Sequence, residues 1–156
     1  MRSVAATKRL ICTVAFLSAV GWASQAHAQL PVGMWVRTDA QANGLTMTVE
    51  ACCNGGSRLI YRVPVPGQPP VTMTVDSPMN GTEVPTLVGG KASGQTMAIT
   101  RVDARHYSAA VKMGGKLYGT SNGTLSADGK TLTVESVSQA APGGKADKII
   151  ETWVRK

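Results

Sequence analysis

After residue 44 the chain keeps a period of two. Leu45, Met47, Val49 and Ala51 alternate with Thr46, Thr48 and Glu50, and Leu59, Tyr61 and Val63 with Arg58, Ile60 and Arg62. Val71, Met73 and Val75 stand against Thr72, Thr74 and Asp76, and Met97 and Ile99 against Thr96 and Thr100. Tyr107, Ala109, Val111 and Met113 share one phase, Leu132 and Val134 alternate with Thr131, Thr133 and Glu135, and Ile149 to Val154 closes the chain. Successive strand side chains point to opposite faces, so this is the pattern of half-buried strands; no stretch after residue 28 shows helical spacing. Between the runs lie Asn54-Gly55-Gly56, Asn80-Gly81, Gly89-Gly90-Lys91, Gly114-Gly115-Lys116, Asp128-Gly129-Lys130 and Gly143-Gly144-Lys145. Such pairs supply the positive φ of tight hairpins, so each is expected to reverse the chain. The expected fold is all-β, about eight to ten short strands joined by hairpins. A meander has edges to hide, and closure into a single antiparallel up-and-down β-barrel removes them; a sandwich is the alternative. Proline donates no hydrogen bond, so Val63 to Pro70, with four prolines, is expected to be a loop.

The first 28 residues read differently. Arg2, Lys8 and Arg9 give a charged start, Leu10 to Trp22 an apolar stretch, and Ala26-His27-Ala28 a small-x-small cleavage site, the plan of a secretory signal peptide. The apolar stretch is 13 residues long where a membrane-spanning helix takes roughly 20. The expectation is a signal over residues 1–28 and one domain over 29–156, periplasmic or secreted, with no membrane span after signal removal. Losing Arg2, Lys8 and Arg9 leaves 13 basic against nine acidic residues, scattered without runs, which argues against nucleic acid as a partner. Cys52 and Cys53 remain, adjacent in sequence. Four readings stay open for them: a vicinal disulfide, a bond linking two copies, part of a metal site, or a strand end with one thiol buried as a small apolar group. A metal site would need further ligands from carboxylates or His106, and no zinc-type spacing is present.

No constellation for catalysis emerges, and the expectation is a protein without catalytic residues or cofactor. Nucleophilic catalysis needs a base beside the nucleophile, and His106, the one histidine after residue 28, falls on the polar phase of its strand. Gly-x-Ser-x-Gly is absent. Gly123 to Thr131 approaches a phosphate-binding loop, but five residues separate Gly123 from Gly129 where that loop has four, and a strand pattern follows in place of a helix. A hairpin turn is expected there.

Gly33-Met34-Trp35 opens the first strand and Glu151 to Arg155 forms the last, neighbours in a closed meander. This pair resembles the lipocalin or calycin superfamily, whose Gly-x-Trp packs against a basic residue from near the end of the barrel. Ser126-Ala127-Asp128-Gly129-Lys130-Thr131-Leu132-Thr133-Val134 is similar to a hairpin in small exported bacterial lipocalin-like proteins of largely unknown function. The resemblance implies a barrel closed at one end by Trp35 and Arg155. Its interior would take a small apolar ligand, and Tyr61, Met73, Met97 and Tyr107 are the expected cavity-lining residues. The alternative is an envelope structural or interaction protein with a filled core, acting through its loops. A continuous void of about 300 Å³ or more favours the carrier, a packed interior the alternative.

Overall fold

The computed structural model describes residues 29–139 and 145–156, so the expected signal and the Gly143-Gly144 pair lie outside the described residues. Ten strands follow in order: β1 Gly33–Arg37, β2 Thr46–Cys52, β3 Gly56–Val65, β4 Gln68–Ser77, β5 Asn80–Val88, β6 Lys91–Arg101, β7 His106–Met113, β8 Lys116–Leu125, β9 Thr131–Ser138 and β10 Lys148–Arg155. Each pairs antiparallel with the next, and β1 pairs with β10, giving a closed up-and-down barrel. No helix among the described residues is long and apolar enough to cross a membrane. Glu50, Arg58, Arg62, Asp76 and Glu135 occupy the strand phase opposite the core, so the outer wall carries charge where a bilayer-spanning barrel needs an apolar band.

Register lines show how the alternation builds an interior. Trp35 faces Met47, Met47 faces Tyr61, Tyr61 faces Met73, and Met73 faces Val88. Directly opposed residues of an antiparallel pair share a face, so this is one continuous inward row. On the other wall Ile99, Ala109, Ser121, Ser136 and Ile149 form a second row. The barrel is filled unevenly along its axis. At the end where β1 starts and β10 finishes, Trp35, Val49, Leu59, Val75, Leu132 and Trp153 are buried. Each such side chain contributes roughly 1.5–3 kcal/mol by leaving water. Leu30 is buried in the same cluster, and the Trp35 indole N–H donates to the Pro31 carbonyl (3.1 Å). The segment before β1 thus lies across this end and closes it.

Some expectations need correction. Val63 to Pro70 is not a loop: β3 runs to Val65, β4 starts at Gln68, and only Pro66-Gly67 turns. The prolines are tolerated because β2 pairs with β3 only up to Arg62 and β5 meets β4 only from Met73. Beyond those points the hairpin protrudes as a two-stranded flap whose outer edges require no donor. Asn80-Gly81 opens β5 and the reversal lies just before it, at Pro78-Met79, where Met79 takes φ 59°. Cys52 and Cys53 are joined to each other at the β2–β3 tip. Neither thiol is therefore free to be a buried apolar group, a link between copies or a metal ligand. At Gly89-Gly90 and Gly114-Gly115 both residues have positive φ, as the two-residue hairpins expected there require. Gly56 is glycine for a different reason: a Cβ there would stand 2.1 Å from the Ser77 carbonyl oxygen.

Candidate functional site

Away from the closed end the interior stays open, leaving a lumen of about 280 Å³ that continues up to the exposed Val63. The space comes from small residues. Above the buried Leu125 the inward positions of β8 are Gly119, Ser121 and Gly123, and β7 contributes Ala109 between Ile99 and Ser121. Tyr61, Met73, Met97 and Tyr107, the four expected lining residues, all border the lumen. Trp35 and Arg155 are directly opposed across the β1–β10 seam, which places both side chains on one face, and the Arg155 stem lies alongside Gly33. Trp35 is sealed below the lumen, whereas Trp153 lines it, edge-on to Tyr61 with ring centroids 6.0 Å apart.

The wall is mostly apolar, and its one charged cluster is one that the pattern of hydrophobic residues did not single out. Glu151 occupies an inward position of β10 between Ile149 and Trp153 and borders the lumen. Its carboxylate accepts from the Trp153 indole N–H (3.1 Å) and pairs with Arg37 Nη1 (3.0 Å). Arg37 in turn grips Asp39 through Nε and Nη2, at 2.6 and 3.0 Å. Asp39 also accepts from the backbone N–H groups of Gln41 and Thr152, tying the loop after β1 to β10. The Arg37 hydrogen bonds hold the Asp39 carboxyl well below the ordinary carboxylate range, and the Asp39 contact raises Arg37. With two carboxylates on one guanidinium the group carries an excess negative charge, and Glu151 is its member on the lumen. Across the space, burial and then the Glu151 charge push the Tyr61 hydroxyl above the usual tyrosine range, so it stays a neutral donor. Ser121 and Ser136, hydroxyl to hydroxyl at 2.8 Å, supply a second small polar spot.

His106 is exposed and its Nδ1 lies 2.7 Å from Asp103 Oδ2. Asp103 also accepts from the backbone N–H groups of Arg105 and His106, which with the imidazole hold its carboxyl at about 2. The pair shapes the β6–β7 turn. Around Asp128-Gly129 the carboxylate accepts from Ser126 Oγ and the Lys130 N–H, a hairpin turn as expected. Among the described residues no group of three or more His, Cys, Asp or Glu side chains is placed to hold a metal ion. Comparison with protein-family models, with curated proteins and with solved structures found no match.

Proposed function

We propose that the chain is an exported, non-enzymatic, lipocalin-like binding protein that carries a small apolar molecule with a hydrogen-bonding end inside the barrel. The observation that carries this reading is the lumen itself: about 280 Å³ of space walled by Met47, Met73, Met97, Leu59 and Val111, with Tyr61, Glu151 and a serine pair at its side. Pockets for small ligands are mostly apolar with a few placed polar groups, and this one lies just under the usual size range, which suits a single acyl chain or a small ring system. Methionine adapts to varied shapes, and the Tyr61 donor and Glu151 acceptor would orient one end of the occupant. A filled barrel acting only through its loops would not leave this space.

The test is a titration of tryptophan emission with fatty acids, retinoids and haem. A saturable one-to-one response is expected; Trp153→Phe should remove the contact-dependent response to fatty acids, because Trp35 lies outside the lumen, and leave the energy transfer from Trp35 to retinoids and haem. A wild-type protein unresponsive to all three ligand classes overturns the reading.

A further inference from the structure

At the open end of the barrel the β5–β6 and β7–β8 hairpins each turn on a Gly-Gly-Lys triplet whose place in the fold is now defined. Lys91 follows Gly89-Gly90 between β5 and β6, and Lys116 follows Gly114-Gly115 between β7 and β8. Lys145, the last residue of the third triplet, precedes β10 at the same end. All three lysines are exposed, and among the described residues none is in an ion pair.

The apolar side chains gather at the same end. Among the described residues eight of the eleven exposed large hydrophobics lie there: Val63 and Val71 on the β3–β4 flap, Val88 before the β5–β6 turn, Met113, Leu117 and Tyr118 on β7–β8, and Ile149 and Ile150 at the foot of β10. Tyr118 and Ile150 are each 55% exposed. Val63 faces Val71 one inward step beyond the Tyr61–Met73 pair, and Ile149 faces Ser136, so part of this rim continues the lumen wall into solvent. Among the described residues the exposed large hydrophobics at the closed end are Val32, Met34 and Val102.

An exposed apolar cluster rimmed by polar groups marks an interaction surface. Its form selects the partner. A protein partner buries a continuous, closely packed patch, whereas these side chains stand on separate tips around an opening. Fluid acyl chains can surround separate tips, and a lysine can lay its methylenes along apolar surface while its ammonium reaches a phosphate. Among the described residues the acidic groups nearby are mostly held by cations, Glu135 by Lys148, Glu83 by Lys112 and Asp39 by Arg37, while Asp147 stands beside Lys148. We propose that the open end docks on an anionic lipid surface, placing the mouth of the barrel against the bilayer. Docking does not require an occupied lumen, so it stands or falls apart from carriage.

The experiment is flotation of the protein with vesicles of phosphatidylcholine alone and of phosphatidylcholine with an equal part of phosphatidylglycerol. Wild type should float with the anionic vesicles only. Reversing the tip charges (Lys91→Glu, Lys116→Glu, Lys145→Glu) should weaken binding at least a hundredfold, since each lysine lost costs roughly fivefold. The same charge change at the closed end (Arg105→Glu, Lys130→Glu, Lys156→Glu) should leave most of it. A second measurement needs no loss of function. With brominated acyl chains in the anionic vesicles, a tryptophan at Tyr118→Trp should be quenched and one at Met34→Trp should not. The proposal is overturned by absent flotation, by equal losses in the two charge variants, by equal quenching at both ends, or by self-association that shields position 118 in place of lipid. Ligand titration on the same samples keeps the readings distinct: the tip variants should bind lumen ligands as wild type does.

Discussion

Replacing Ala109 by phenylalanine separates an open barrel from a filled one by the sign of a stability change. Ala109 borders the lumen between Ile99 and Ser121. If the space of about 280 Å³ is present, the new ring occupies it without displacing neighbours. Burying a phenylalanine contributes roughly 1.5–3 kcal/mol, and ordering the ring costs about 0.5–1 kcal/mol, leaving about 1–2 kcal/mol in favour of the variant. In a filled core the same ring costs about 1–3 kcal/mol. For a domain of this size each kcal/mol moves the melting temperature by about 3–6 °C, so the two cases differ in direction and by about 10 °C. The assay is thermal unfolding by circular dichroism, after denaturation and refolding to strip bound small molecules, because a ligand would raise the wild-type value alone. The expected result is a melting temperature equal to or above wild type, with the tryptophan response to added ligands lost. A fall of about 5 °C or more with a native spectrum refutes the reasoning.

Gly56→Ala should be among the most damaging single-methyl changes in the chain, about 3 kcal/mol or more by urea unfolding, because its Cβ meets the Ser77 carbonyl and the Pro78 backbone rather than a movable side chain. A loss under about 1 kcal/mol contradicts the observed β3–β4 approach. Arg37→Met leaves Asp39 and Glu151 without their cation and should lower the urea midpoint, most of the loss being recovered when Glu151→Gln and Asp39→Asn are added; failure of the triple variant to recover stability excludes stranded charge as the cause. The Asp39 carboxyl titrates below its unfolded value of about 4, so its contribution is present above that pH and disappears as pH falls through the lower folded value. Urea midpoints of Asp39→Asn should therefore fall less steeply than wild type from about pH 4 downward, and parallel profiles would deny the linkage.

The fold was legible wherever one face of a strand is apolar, as along Met47, Val49 and Leu59, Tyr61, because burial of one face leaves a period of two in the sequence. It was least legible in β5 and β8. β5 carries Pro85 and opens with Asn80-Gly81-Thr82, which read as a reversal, while the inward row of β8 runs Gly119, Ser121, Gly123 and only then Leu125, too little hydrophobic alternation to detect. Those small residues are also what keeps the lumen open, so the feature that hid the strand is the one that makes room for an occupant. Four of the six aromatic and methionine residues bordering the lumen, Tyr61, Met73, Met97 and Tyr107, followed from strand phase. The Arg37–Asp39–Glu151 cluster did not, since charged residues on a strand ordinarily face water. The available signal was Glu151 sharing the phase of Ile149 and Trp153, a charge on the apolar face of the final strand. The prolines of the flap misled because the sequence does not show where the neighbouring strands stop.

The measurement that bears most directly on the barrel as a carrier is native mass spectrometry of protein purified without denaturation from the cells that make it, wild type beside Ala109→Phe. The account predicts extra mass on the wild type that is lost on denaturation and absent from the variant. Bare wild-type protein that also takes up no offered apolar ligand would contradict it.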